Sequence, residues 1–272
     1  MMEERNLYFR NIKLSYKVAG NGSPIILIHG FCGDNTIWEP LVESLSKDHL
    51  LIMPDLPGWG SSEALDEESI SIEDFAASVK SIMDVEKVGQ CIVCGHSMGG
   101  YIALALEELY NQQIEGLGIL HSHPYDDTDE KKQGRETAIE AITQQGVAEF
   151  TSEFVPFLFA QKNKSRLTTV IAELTNRTAK YPPKAFIQSL QAMKNRKDRS
   201  HVLKAAQKPV LFIIGEEDLA IPVDLSMKQV SLPDNCIIKL LNTAHMGMYE
   251  SKEEFLAGIS ELVALCIQRR NP

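Results

Sequence analysis

Six short apolar runs punctuate the chain, at residues 25–28, 50–53, 91–94, 117–120, 210–214 and 236–241. Apart from Lys239 in the last, each is continuously apolar rather than alternating, the pattern of a strand covered on both faces of a parallel sheet. Between them, apolar positions recur at helical spacing in residues 38–46, 72–83, 99–110, 222–230 and 253–268. Strand and helix therefore alternate as a doubly wound, mostly parallel α/β sheet requires, with helices on both faces. One long interval breaks the alternation. Residues 124–205 hold no strand-like run, only helical periodicity at 136–144, 148–159, 165–177 and 184–193. The interval opens in a turn-rich stretch, His121-Ser122-His123-Pro124-Tyr125-Asp126-Asp127, and is broken again at Tyr181-Pro182-Pro183. The pattern predicts a core made of residues 1–123 and 206–272, with a helical cap inserted at 124–205.

Length agrees with that division, since 272 residues suffice for one catalytic core plus an elaboration. The composition, 44% hydrophobic and 24% charged, is that of a soluble globular protein, and no apolar run approaches the roughly 18 residues of a membrane span. Met1-Met2-Glu3-Glu4-Arg5-Asn6 carries charges of both signs and no apolar h-region follows, so no secretory signal is expected and a cytoplasmic location is predicted. Five cysteines at irregular spacing, Cys32, Cys91, Cys94, Cys236 and Cys266, read as free thiols rather than a disulfide framework. The formal charge of −10 repels phosphate backbones and anionic lipid, so neither nucleic acid nor a membrane is an expected partner.

The strongest chemical signal lies where one apolar run meets a helix. Cys91-Ile92-Val93-Cys94 leads into Gly95-His96-Ser97-Met98-Gly99 and then an amphipathic segment, a strand–turn–helix around Gly-x-Ser-x-Gly. A side chain at so sharp a turn stands at the carboxyl edge of the sheet, where crowding favours glycine two residues to either side. The following helix also aims its amino end at the site, favouring negative charge there. Ser97 is the candidate nucleophile.

A serine hydroxyl needs a base, and the base needs a group to hold its tautomer. Among seven histidines, His245 follows the last apolar run and precedes the closing helix, above the same sheet edge as Ser97. Asp218 comes from the loop after the preceding run, giving the chain order Ser, Asp, His. Glu216, Glu217, Asp126 and Asp127 are the rival acids. His96 is expected to point away from Ser97, His29 to shape the neighbouring loop, His121 and His123 to be available as substrate contacts, and His49 and His201 to lie on the surface. For an oxyanion, the backbone N–H of Met98 is one expected donor and that of Phe31 the other.

Together, His29-Gly30-Phe31, the stretch from Pro54-Asp55-Leu56-Pro57-Gly58 to Trp59-Gly60-Ser61-Ser62, the elbow, Gly215-x-x-Asp218 and Ala244-His245 resemble the α/β-hydrolase superfamily, in particular its capped esterase, enol-lactonase and C–C-bond hydrolase branch. The resemblance implies a carboxylesterase-like serine hydrolase cleaving a carboxylic ester, thioester, lactone or activated C–C bond of a small-molecule acyl substrate, with no cofactor and no metal, and a structural rather than catalytic Asp55. Epoxide hydrolases and haloalkane dehalogenases of this fold place aspartate where this chain has Ser97. Lyases like the menaquinone-pathway synthase resemble a pattern with arginine where it has Tyr101. A non-hydrolytic lyase or synthase, or a slow-turnover ligand sensor, is the alternative reading.

Three further features are read as structural. Cys91-x-x-Cys94 lies inside a strand, where thiols act as small hydrophobes. Phe150, Phe154, Phe157 and Phe159 form an aromatic stripe expected in the cap core, with an acyl pocket as its alternative. Lys194, Arg196, Lys197 and Arg199 are expected on a solvated face, with an anionic substrate as theirs.

Overall fold

The computed structural model describes residues 2–270. Met1, Asn271 and Pro272, which belong to the expected core segments and, for Met1, to the leader reading, lie outside the described residues. The chain opens with a hairpin that the apolar pattern did not predict, β1 (Met2–Phe9) paired antiparallel with β2 (Ile12–Ala19). Its two-residue turn, Arg10 and Asn11, has φ of 45° and 67° at both positions, the left-handed geometry that matches the twist of a tight hairpin. Glu3, Glu4 and Arg5 interrupt any apolar run in β1, and charged side chains suit an edge strand because they oppose pairing with another chain.

All six apolar runs fall in strands: β3 (Ser23–Ile28), β4 (His49–Pro54), β5 (Cys91–His96), β6 (Ile114–Leu120), β7 (Val210–Gly215) and β8 (Cys236–Leu241). The sheet order is β1-β2-β4-β3-β5-β6-β7-β8, with β2 antiparallel to both neighbours and every pairing from β4 through β8 parallel. Outside the β6–β7 interval the helices are α1 (Glu39–Leu45), α2 (Ile72–Val85) and α3 (Met98–Tyr110). Between β6 and β7 come α4 (Asp129–Gln145), α5 (Val147–Phe157), α6 (Thr168–Thr178), α7 (Pro183–Lys194) and α8 (Ser200–Ala205). The chain closes with α9 (Val223–Gln229), α10 (Gly247–Glu250) and α11 (Lys252–Arg270). Among the described residues, no helix is long and apolar enough to cross a membrane.

Alternate residues of the central strands divide the core into two layers. Ile26, Ile52, Val93 and Phe212 pack with Phe75, Val79 and Ile102 of α2 and α3, whereas Ile25, Leu51, Ile92 and Leu211 pack with Leu41 of α1 and Phe255, Ile259 and Leu262 of α11. Period-two side-chain alternation thus places an apolar face against helices on each side. Helix ends follow local chemistry. Ser71 and Asp74 form a reciprocal capping box at the start of α2, and Thr128 accepts from the Lys131 N–H at the start of α4. That cap sets α4 seven residues earlier than its apolar periodicity suggested, because the first two turns, Asp-Glu-Lys-Lys-Gln-Gly, carry no apolar side chain.

Candidate active site

Ser97 stands between β5 and α3 with φ 54° and ψ −118°, a conformation L-residues seldom adopt and one that costs on the order of 1–3 kcal/mol. Surrounding atoms impose it. The Ser97 N–H donates to the Leu120 carbonyl at 2.9 Å, and its own carbonyl accepts from the Ser122 hydroxyl at 2.7 Å. The flanking glycines leave room for the turn: a Cβ on Gly95 would lie 2.0 Å from the Gly99 carbonyl oxygen, and one on Gly99 would lie 2.3 Å from that of Ile28.

The loops after β7 and β8 are stitched together, with Glu216 N–H donating to Leu241 and Glu217 N–H to Thr243, both at 2.9 Å. A Cβ on Gly215 would sit 2.3 Å from the Ala244 carbonyl oxygen, so glycine permits this approach. The result brings His245 Nδ1 to 2.7 Å from Asp218 Oδ2, with both side chains buried. The other Asp218 oxygen accepts the N–H groups of Ala220 and Ile221, each at 2.9 Å. Burial would raise the Asp218 carboxyl, but His245 beside it and the hydrogen bonds from His121 and His245 outweigh burial and hold it well below the usual carboxylate range.

Two partners of this pair were not assigned to it from the sequence. His121, at the end of β6, brings Nδ1 to 3.3 Å from the same Asp218 oxygen. Burial lowers its pKa, and its enclosure makes it a neighbour of the acid rather than the substrate contact expected. Glu250, in α10, accepts from Ala244 N–H at 3.0 Å with one oxygen, and from Ala160 N–H at 2.9 Å and the Asn163 amide at 2.8 Å with the other. It ties the histidine loop to the helical segment, as does the His245 N–H, which donates to the Leu158 carbonyl at 3.0 Å. A carboxylate five residues beyond His245 carries no recognisable spacing signal.

The remaining histidines have distinct places. His96 turns to the His245 backbone, its Nε2 at 2.8 Å from that carbonyl, and burial pushes its pKa well down. His29 Nε2 accepts the Leu56 N–H at 3.0 Å, and burial lowers its pKa to about 4. His123 lies against Tyr101 and is likewise buried, whereas His49 is only partly exposed rather than fully on the surface; His201 is exposed beside Glu108. Of the rival acids, Asp127 is taken by Arg135 at 3.1 Å and Arg196 at 2.7 Å, and Glu217 pairs with Lys162 on the surface. Asp55 accepts the N–H groups of Asn35 at 2.8 Å and Ser61 at 2.9 Å, while burial pushes its carboxyl up to about 7.

Ser97 and His245 open into a cavity of about 270 Å³ whose walls include Phe31, Tyr101, Phe150 and Phe154. The Met98 N–H is the first of α3, and neither it nor the Phe31 N–H is taken by a backbone carbonyl among the described residues. Phe31 packs edge-on against Trp59, Phe154 and Phe186 at 5.5–5.7 Å, which fixes the loop that carries its amide. Phe150, Phe154 and Phe157 line the cavity, so the aromatic stripe is not only core, while Phe159 packs on Tyr249 instead. Arg196 and Arg199 correct the expectation of a solvated face: both are buried, Arg196 on Asp127 and 4.1 Å above the Tyr101 ring, Arg199 between Glu73 and Glu108. The five cysteines are unpaired, and burial pushes the Cys91 thiol up to about 12.

Among the described residues, one cluster of metal-ligating types occurs, His121, Asp218 and His245, with ligand-type atoms within 4.8 Å of one another. Both imidazoles direct Nδ1 at a single carboxylate oxygen, so hydrogen bonds already join the three groups through Asp218.

Residues 23–250 match the family described as alpha/beta hydrolase fold. Among curated proteins, the chain is 22% identical to pimeloyl-[acyl-carrier protein] methyl ester esterase of Pseudoalteromonas atlantica, covering 91% of this chain and 97% of that one. It is 23% identical to a putative carbamate hydrolase of Serratia proteamaculans, over 88% and 92%. Among solved structures, a thermophilic esterase from Thermogutta terrifontis superposes with a TM-score of 0.88 at 24% identity, covering 94% of both chains. The enol-lactonase from Burkholderia xenovorans superposes with a TM-score of 0.89 at 21% identity, covering 96% of this chain and all of that one.

Proposed function

Because the chain belongs to the α/β-hydrolase family, we propose that it is a serine hydrolase of small-molecule esters, thioesters or lactones, with Ser97 as nucleophile, His245 as base and Asp218 as the orienting acid. The observation that carries this reading is the 2.7 Å bond from Asp218 to His245 Nδ1 beside a cavity that Ser97 and His245 share. With Nδ1 committed to Asp218, Nε2 is the nitrogen that takes the Ser97 proton as Oγ attacks the carbonyl carbon. Negative charge then grows on the carbonyl oxygen, and the N–H groups of Met98 and Phe31 are the donors for it; removing one such donor typically costs about 10²–10³ in turnover. Collapse expels the alcohol, thiol or ring oxygen, which collects the proton from His245. Water, deprotonated by the same imidazole, cleaves the acyl-enzyme and returns Ser97 to its starting state.

In this reading residues 124–205 act as the cap that roofs the site, supplying the Phe150 and Phe154 walls and the Leu158 and Ala160 contacts to the histidine loop. The test is hydrolysis of p-nitrophenyl acetate by the wild-type chain and by Ser97→Ala. The variant is expected to lose turnover while keeping its circular dichroism spectrum; equal turnover in both removes Ser97 as nucleophile.

A further inference from the structure

The chain carries 37 acidic and 27 basic side chains, yet among the described residues no acidic side chain lines the Ser97 cavity, and Lys131 and Arg135 both reach it. These two are four residues apart on α4 and so share one helix face. Between them lies Gly134, where an added Cβ would meet no atom within 4 Å, so nothing packs into the space they flank. Nearby acids leave them under-neutralised. Asp127 binds Arg135 through Nε at 3.1 Å but also binds Arg196 at 2.7 Å, so one carboxylate is shared between Arg135 and Arg196. Two acids of the α4 amino half pair with other lysines, Asp129 with Lys132 and Glu136 with Lys194. Lys131 Nζ lies 3.4 Å from the Ala220 carbonyl, a neutral acceptor on the cavity wall two residues beyond Asp218.

Building on the serine-hydrolase reading, we propose that the substrate is an ester or lactone that also carries a carboxylate, with Lys131 and Arg135 receiving the carboxylate while Phe150 and Phe154 hold the apolar span. A guanidinium and an ammonium on one face are suited to a planar anion, since charge-assisted bonds are roughly twice as strong as neutral ones. Apolar walls concentrate the field of those charges within the cleft. An uncharged ester of the same length fills the aromatic part and brings no anion to either cation.

Two matched pairs test this, monomethyl adipate against methyl hexanoate with the charge on the acyl side, and γ-acetoxybutyrate against butyl acetate with the charge on the alcohol side. Hydrolysis is followed by pH-stat at low and high salt. In the wild-type chain at least one charged ester is expected to exceed its neutral partner in kcat/KM by about tenfold, an advantage that shrinks with added salt because the cations are partly solvent-exposed. Lys131→Gln/Arg135→Gln should collapse the charged-to-neutral ratio toward unity, while Lys131→Arg/Arg135→Lys, which keeps both charges, retains it. A ratio at or below unity for both pairs, or one unchanged in the double glutamine variant, overturns the inference while neutral-ester hydrolysis leaves the hydrolase reading standing. Hydrolysis of none of the four esters removes both.

Discussion

Replacing Glu250 with glutamine probes the least conspicuous part of the site. Its carboxylate receives three donors, from Ala244 and Ala160 N–H groups and the Asn163 amide, at 2.8–3.0 Å. Glutamine keeps the shape but turns one oxygen into an NH₂, which faces at least one of those donors with another donor. Hydrogen bonds to a charged group contribute about 1.5–3 kcal/mol each, and a stranded buried donor costs about 1–3 kcal/mol. Losing one or two of the three therefore amounts to roughly 2–4 kcal/mol. For a chain of this length each kcal/mol lowers Tm by about 2–4 °C, so a fall of roughly 5–15 °C is expected by circular dichroism. The same change loosens the peptide just before His245, leaving the Leu158 carbonyl, the His96 ring and the Glu217 N–H to hold that loop. A displacement of the base by a fraction of an ångström costs on the order of tenfold in kcat. A Glu250→Gln protein that melts within about 1 °C of wild type and turns over p-nitrophenyl acetate at an unchanged rate would refute the bridging role.

Asp218→Asn should lower kcat by about 10⁴, because the amide presents the wrong partner to His245 Nδ1; a loss of less than tenfold would move the acid elsewhere. Because the fold holds the Asp218 carboxyl below its unfolded value, the unfolded chain binds that proton first, and stability is lost as the pH falls below about 4. The variant's Tm should accordingly fall less steeply with acid than that of wild type, and parallel curves would contradict the assignment. Phe154→Ala removes a ring that stacks on Phe150 at 5.3 Å and lines the cavity, so kcat/KM for octanoate over acetate p-nitrophenyl esters should rise several-fold. An unchanged ratio would place the acyl chain against another wall.

What could be read in the sequence was set by how local each feature is. Strands β3 to β7 were visible because burial on both faces demands unbroken apolar runs, the edge strand β8 because apolar residues flank its Lys239, and Ser97 because its turn admits only glycine at positions 95 and 99. Asp218 and His245 followed from their place after β7 and β8, since parallel strands deliver their carboxyl ends to one edge. The β1–β2 hairpin escaped because Lys13, Ser15 and Lys17 break the apolar run in β2 and β1 is an edge strand rich in charge. Arg196 and Arg199 looked like surface charge because their partners, Asp127, Glu73 and Glu108, are remote in sequence. Lys131 and Arg135 went unnoticed for a different reason: the polar opening of α4 has no apolar period, although the Thr128 cap with Asp129 and Glu130 behind it is a legible start. His121 and Glu250 join the site only through the tertiary fold, one by sharing Asp218 and the other by bridging two loops.

The central claim is that Ser97 is the activated nucleophile, and covalent trapping tests it most directly. The wild-type chain is incubated with a fluorophosphonate, digested, and mapped by mass spectrometry. One phosphonyl group per chain on the peptide containing Ser97, absent after His245→Ala, is the predicted result. A wild-type chain that hydrolyses esters yet carries the adduct on another residue, or carries none, would contradict it.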